Sequence, residues 1–323
     1  MNILAMKKSF FIILFIFCLL SCDNNYKTED TFQLIYTDVD NFWKMYDKVK
    51  TIQKEGKRVE IIKIEYLDKA TLVFKKLIKK DKLTPKRFSN YLKDTLFYNS
   101  IRQSSFDFKK DSTTIKNTIK SFSKIYPKAK YSDVYFVIGL FNHGGVVLDR
   151  RIIFQLETNA KTKFLKSAFL INKQQEEYLN FKSSFTSTVF HEQVHLSQKN
   201  KNRKTLLGDA IVEGSANLLM YLQTNNLPST IEKTYEYGLK NEFEVWQRFK
   251  LDMQKERISV QHKWFNNYGA KNIIYPDLGY FIGHKICESY YNNAKNKQEA
   301  VAFLLTEKNF NKILALSNYN GGK

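Results

Sequence analysis

The run Phe190-His191-Glu192-Gln193-Val194-His195 lies in a stretch, residues 180–198, that contains neither Pro nor Gly. Phe181, Phe185 and Val189 precede it at spacings of four, so the periodicity predicts one helix over 180–199. Residues four apart on a helix share a face. His191 and His195 therefore point the same way, where two neutral imidazole nitrogens can occupy two corners of a tetrahedral Zn²⁺ site. Glu192 lies one step round the helix, close enough to act as general base on a water at the metal without taking a coordination position. The chain has only five histidines, and two of them stand here.

Two histidines leave such a site one protein ligand short. The segment Thr205-Leu206-Leu207-Gly208-Asp209-Ala210-Ile211-Val212-Glu213-Gly214-Ser215-Ala216-Asn217 opens a predicted helix over 204–224. On it Asp209, Glu213 and Asn217 recur at i, i+4 and i+8 among apolar residues, a polar stripe on a face that should be buried. Buried carboxylates require a compensating partner, and a cation supplies it. Glu213 is assigned as the third zinc ligand, with Asp209 and Asn217 as candidates to orient a ligating imidazole; the alternative is a surface ion pair between Glu213 and a lysine. A third segment, 275–291, carries Gly279 and Gly283 four apart and, on the adjoining face, Tyr280 and His284. The glycines would let another backbone approach closely. Tyr280 or His284 could donate to an oxyanion at the site, or both could be satisfied packing residues. His143 and His262 have no carboxylate-rich neighbourhood and are read as structural or exposed.

The first 22 residues define the compartment. Lys7 and Lys8 precede an apolar run from Phe10 to Leu20 that is too short to span a bilayer, followed by Leu19-Leu20-Ser21-Cys22. This is an export signal whose end resembles the lipobox of bacterial lipoproteins. Residues 1–21 are expected to be removed, leaving Cys22 as the lipid-bearing first residue. Cys18 leaves with the signal, so Cys287 stays unpaired and no intramolecular disulfide can form. Stability must come from an apolar core, and about 300 residues suffice for one. The formal net charge is +20, or +18 once Lys7 and Lys8 are lost. Lysines spread over a solvated surface account for most of it, with attraction to anionic lipid headgroups near the anchor as the sharper reading. Nucleic acid is excluded as a partner by export and by the lack of a recognisable binding module.

Along the mature chain, residues 22–30 form a short polar tether. Residues 31–130 read as a helical N-terminal region, with Asp40 as helix cap before Phe42, Trp43 and Tyr46 and with further helical patterns over 67–80, 84–101 and 112–125. Residues 133–157 are rich in β-branched and aromatic side chains and read as a hairpin turned at Gly144-Gly145. Helices resume at 180–199, 204–224, 230–256, 276–293 and 297–318, the last interrupted near Asn309. The expected fold is α+β: a mainly helical, zincin-like unit over 131–323 with one small β-sheet, following the helical N-terminal region.

The H-E-Q-V-H run, the E-G-S-A-N that follows, and the Y-P-D-L-G-Y-F-I-G-H segment together resemble the bacterial predicted zinc proteases of the YjaZ-related, gluzincin-like type. The hairpin and the Thr37-Asp38-Val39-Asp40-Asn41-Phe42-Trp43 segment are similar to lipoprotein members from Bacteroidetes. The resemblance implies His191, His195 and Glu213 as zinc ligands and Glu192 as base. One departure touches the oxyanion donor: the family motif reads G-Y-x-x-G-Y, and His284 replaces its second aromatic. The expected function is a lipid-anchored zinc metallopeptidase of the cell envelope, on the periplasmic face or cell surface, whose outer hairpin strand pairs with an extended peptide or protein substrate. Attack on a non-peptide amide or ester would use the same chemistry. The competing expectation is a non-catalytic envelope lipoprotein that uses a zincin fold for binding, resembling the gliding-motility lipoprotein B group. An intact Glu192 argues for the enzyme.

Overall fold

The computed structural model describes residues 26–141, 144–159, 165–171, 185–200, 202–226, 229–267, 270, 273 and 275–322. Cys22 and His143 lie outside them. Among the described residues no helix is long and apolar enough to cross a membrane.

Eight short helices fill the N-terminal third: α1 (Thr37–Val49), α2 (Glu55–Ile62), α3 (Leu72–Lys80), α4 (Pro85–Tyr91), α5 (Thr95–Ile101), α6 (Ser104–Lys110), α7 (Ser112–Lys120) and α8 (Phe122–Ile125). The pattern expected as one helix over 84–101 breaks in two because Asp94 caps the second piece, accepting from the Phe97 N–H at 3.0 Å. The same carboxylate accepts from Ser167 Oγ and from the N–H groups of Ala168, Phe169 and Leu170. Burial pushes its pKa up, but those donors win and hold it down at about 2. From α1, Phe42, Trp43 and Tyr46 turn inward, and Phe42 packs its ring on Tyr66, Phe88 and Tyr98.

The helices cover a four-stranded sheet of order β1-β2-β4-β3, with β1 Leu34–Ile35, β2 Val134–Val137, β3 Gly145–Leu148 and β4 Arg151–Gln155. Strands β1, β2 and β4 run parallel, and β3 is an antiparallel edge on β4. The sheet thus draws residues on both sides of position 130 into one core, from Phe32 to Leu196. The hairpin lies elsewhere than expected: it is β3–β4, turned at Asp149-Arg150, where both residues have positive φ (47° and 61°). That is the backbone a two-residue hairpin turn demands, adopted here without glycine. Residues 134–137 instead form a parallel strand, and Gly144-Gly145 leads into β3, of which Gly145 is the first residue, rather than turning the β3–β4 hairpin.

Helix α9 (Phe185–Ser197) packs on the sheet core through Val189 and Leu196, and behind it a second group of helices packs around its own apolar core: α10 (Leu206–Thr224), α11 (Ser229–Lys240), α12 (Glu242–Asp252), α13 (Arg257–Val260), α14 (Leu278–Asn293), α15 (Lys297–Thr306) and α16 (Phe310–Ser317). Asn309 caps α16 by accepting from the Lys312 N–H at 3.2 Å, which explains the expected interruption there. The tightest contact is between α10 and α14. A Cβ placed on Gly214 would lie 2.0 Å from the Gly283 carbonyl carbon, and one on Gly283 would lie 1.8 Å from the Ala210 carbonyl oxygen. The two backbones touch directly at Gly283, as expected of it, whereas Gly279, expected to do the same, faces the Phe265 ring.

Gly283→Ala should therefore lower stability by about 2–3 kcal/mol or more, because a backbone cannot yield as a side chain does. Gly56→Ala, with nothing within 4 Å of the added methyl, should be neutral or stabilising by up to about 1 kcal/mol. Denaturant unfolding of the two variants checks the contrast. A second expectation concerns Glu157, whose Oε1 accepts from the Gly139 and Phe141 N–H groups at 2.7 and 3.1 Å while Oε2 is buried without a partner. Burial raises its pKa from 4.5 to about 7. The native state then holds a proton that the unfolded chain has lost, so this contribution to stability is full below pH 4.5 and is lost as pH rises through about 7. Glu157→Gln cannot ionise, and should gain on the parent across that window by up to roughly 3 kcal/mol. Unfolding titrations at about pH 5 and about pH 8 read the difference.

Candidate metal centre

Helix α9 delivers His191 and His195 on one face, as their spacing requires, and α10 brings Glu213 against them. His191 Nε2 lies 3.0 Å from His195 Nε2 and 3.2 Å from Glu213 Oε2, and His195 Nε2 lies 3.3 Å from that same oxygen. All three side chains are buried. A tetrahedral ion with nitrogen and oxygen ligands at 2.0–2.2 Å sets neighbouring ligand atoms roughly 3.3–3.5 Å apart. The triangle fits one small divalent cation, and the donor set of two imidazoles and one carboxylate suits zinc. Among the described residues this is the one group of three or more such side chains able to hold a metal.

The protein fixes this triangle with residues the sequence reading passed over. Gln198, three residues beyond His195, accepts from His195 Nδ1 at 2.7 Å and donates to the Val212 carbonyl at 2.7 Å and to Ser215 Oγ at 2.9 Å. It clamps α9 to α10 and leaves the lone pair of His195 on Nε2, facing the other ligands. Arg203, in the turn between the helices, donates to Glu213 Oε1 at 2.5 Å and to Asp209 Oδ1 at 3.2 Å. Burial by itself would raise the Glu213 pKa, but the imidazoles and Arg203 hold it well below the usual carboxylate range. Glu213 is thus ionised and ready to coordinate. Gln198 was visible as the i+3 residue after His195; Arg203 was hidden in a lysine-rich segment.

The remaining candidates divide. Glu192 is 9% exposed and lies against the start of β3: a Cβ on Gly145 would meet its Cγ at 2.4 Å. Gly145 is needed for that close approach. Tyr280 faces the site, its ring centroid 6.5 Å from that of His191. Burial first, then the charges of Glu213, Asp277 and Glu192, raise its pKa well above the ordinary phenol value, so it stays a neutral O–H donor. His284 is turned away, with its ring against Tyr235 and Tyr221 and its Nε2 3.8 Å from Glu288. Asp209 reaches Glu213 only through Arg203 and also pairs with Arg257 at 3.6 Å, so it orients the carboxylate's partner rather than an imidazole. Asn217 is buried next to the Tyr235 hydroxyl. Of the other histidines, His262 is exposed on a short 3₁₀ turn.

Comparison with protein families gives a match over residues 24–321 to the model of the gliding motility protein GldB, in its lipoprotein form. The chain belongs to this family. The match covers most of the chain, so it spans both the aromatic N-terminal helices and the candidate metal site. Membership makes the chain a lipid-anchored protein of the cell envelope. It gives no support to the resemblance to the predicted YjaZ-type zinc proteases, and the zincin-like label for the fold rests on the local geometry of the site alone. Comparison with curated proteins and with solved structures returned no match.

Gln198→Ala would strand His195 Nδ1 and take the amide donor away from the Val212 carbonyl and Ser215 Oγ, so zinc affinity should fall about 10–100-fold. Competition against a chromophoric chelator measures the loss. An unchanged affinity would mean that His195 is held by packing alone.

Proposed function

We propose that this chain serves the gliding apparatus as an envelope lipoprotein whose helical body binds a partner, with a zinc ion at His191, His195 and Glu213 holding α9 and α10 together. The observation that carries the proposal is the triangle of three buried ligand atoms at 3.0–3.3 Å within a chain matched to the GldB family over residues 24–321. Without a cation, two imidazole nitrogens face each other and a carboxylate in a buried pocket, and neutralising that arrangement would favour folding. Zinc analysis of the purified protein tests it: about one equivalent in the parent, with steep loss of affinity in His191→Ala, His195→Ala and Glu213→Ala. Should Glu213→Ala keep wild-type affinity, the ligand set is wrong. Metal removal should also lower the thermal midpoint of the parent and leave that of His191→Ala unmoved.

A second reading, hydrolysis of a peptide or related amide bond, is favoured by Glu192 and Tyr280. Zinc in this position would supply Lewis-acid polarisation of a carbonyl and acidification of water. Glu192, beside two ligands yet outside their triangle, supplies a carboxylate that can take a proton. Tyr280 supplies a neutral hydroxyl that can donate to a developing negative charge. Among the described residues strand β3 is the edge of the sheet, next to Glu192, and an extended chain could pair on it. Digestion of a diverse peptide library separates the readings. If cleavage is seen, Glu192→Gln should cut its rate by about 10²–10⁴-fold while zinc content stays at the parent level. Tight zinc binding with no cleavage of any peptide upholds the binding role.

A further inference from the structure

The point where the chain leaves its lipid anchor fixes which face of the fold meets the membrane. Tyr26 is the first described residue, and its ring lies under two cations, with Lys130 Nζ 4.3 Å and the Arg150 guanidinium 5.4 Å from its centroid. The next residue is tied down as well: the Lys27 N–H donates to the Tyr131 carbonyl at 2.8 Å, and its ammonium lies 3.9 Å from Asp133. Three residues separate Cys22 from Tyr26. Four Cα–Cα steps reach at most about 14 Å even when fully extended. If Cys22 carries the lipid, the Cα of Tyr26 cannot stand further than that from the anchored residue, and Lys130 and Arg150 lie over its ring, with Lys27 next in the chain and exposed Lys128 two residues before Lys130.

The charge of this face agrees with its placement. Its carboxylates are largely matched within the fold: Asp30 pairs with Lys120, Asp133 with Lys27 and Asp149 with Lys76, and Glu29 lies beside Tyr131. Lys128, Lys130 and Arg150 enter no ion pair with any described residue, and Lys128 and Arg150 are exposed. We infer that the face formed by Lys27, Lys128, Lys130 and Arg150 lies directly on the bilayer as a docking surface for anionic phospholipid headgroups. Each such cation contributes about five-fold to partition onto an anionic surface. The metal helix is bolted to this same surface: the Lys130 N–H donates to Ser197 Oγ at 2.9 Å, and Gln193 Nε2 donates to the Lys130 carbonyl. The face of α9 that carries the histidines is then one helix diameter, about 10 Å, above the membrane-facing segment.

This inference rests on lipidation at Cys22, and the test reads the two separately. The acylated full-length protein is reconstituted in phosphatidylcholine vesicles with or without phosphatidylglycerol, and acetylation of individual lysines is followed by mass spectrometry. Lys27, Lys128 and Lys130 should react roughly three-fold or more slowly in the anionic vesicles, an effect that high salt removes. Exposed Lys240 and Lys250, on α11 and α12, should react alike in both. The combined Lys128→Glu, Lys130→Glu and Arg150→Glu variant should erase the difference at Lys27; should that variant fail to fold, the salt series on the parent decides. Equal rates in both vesicles, or equal slowing of Lys240 and Lys250, overturns the inference. Absence of lipid mass on Cys22 overturns the anchor and the docking surface together.

Discussion

A carboxylate placed in the middle of an apolar helix is the constraint around which the rear half of this molecule is organised. Helix α10 is buried from Leu206 to Met220, and Glu213 sits at its centre. An ionised group in that position costs several kcal/mol unless it is compensated on all sides. The compensation comes from two directions, the imidazoles of α9 and Arg203 from the turn that joins the helices, and the spacing of the ligand atoms would suit a cation as well. Each of these fixes a neighbouring element. The imidazoles set the rotation of α9, Gln198 sets its height against α10, and Arg203 holds the turn by bridging Glu213 to Asp209.

Much of this was legible because helical spacing is a local property. His191, His195 and Glu213 could be placed on two facing helices from periodicity alone, and Gly279 and Gly283 announced a close approach before its partner was known. What failed depended on features that residue type does not announce. The Asp149-Arg150 turn has the positive φ values that glycine signals elsewhere, so the Gly144-Gly145 pair drew the hairpin to the wrong place. Parallel pairing of β1, β2 and β4 was equally invisible, since their partners lie far apart along the chain. His284 shows a different limit. It shares a helix with Tyr280, yet a buried helix has neighbours on every side, and its ring faces Tyr235 and Glu288 instead of the metal ligands.

Family membership and local geometry speak to different levels of function. The match over residues 24–321 concerns the whole envelope lipoprotein, whereas the ligand triangle concerns a few buried atoms. The two meet in α9, which holds the histidines on one face and grips the Lys130 segment through Gln193 and Ser197 on another. The candidate ligand triangle and the segment that packs on Tyr26 are thus joined through one helix.

The glycine contact between α10 and α14 also limits how anything could enter the site. With Gly214 and Gly283 interlocked at backbone distance, neither helix can slide along the other without lifting its carbonyls over those of its neighbour. Glu213 is one residue from that interlock and Tyr280 is three, so the floor and the rear wall of the centre move as one rigid body. A ligand cannot be admitted by shear of these helices. The opposite side is built differently: there Glu192 leans on Gly145, the first residue of β3, which among the described residues is the edge strand of the sheet.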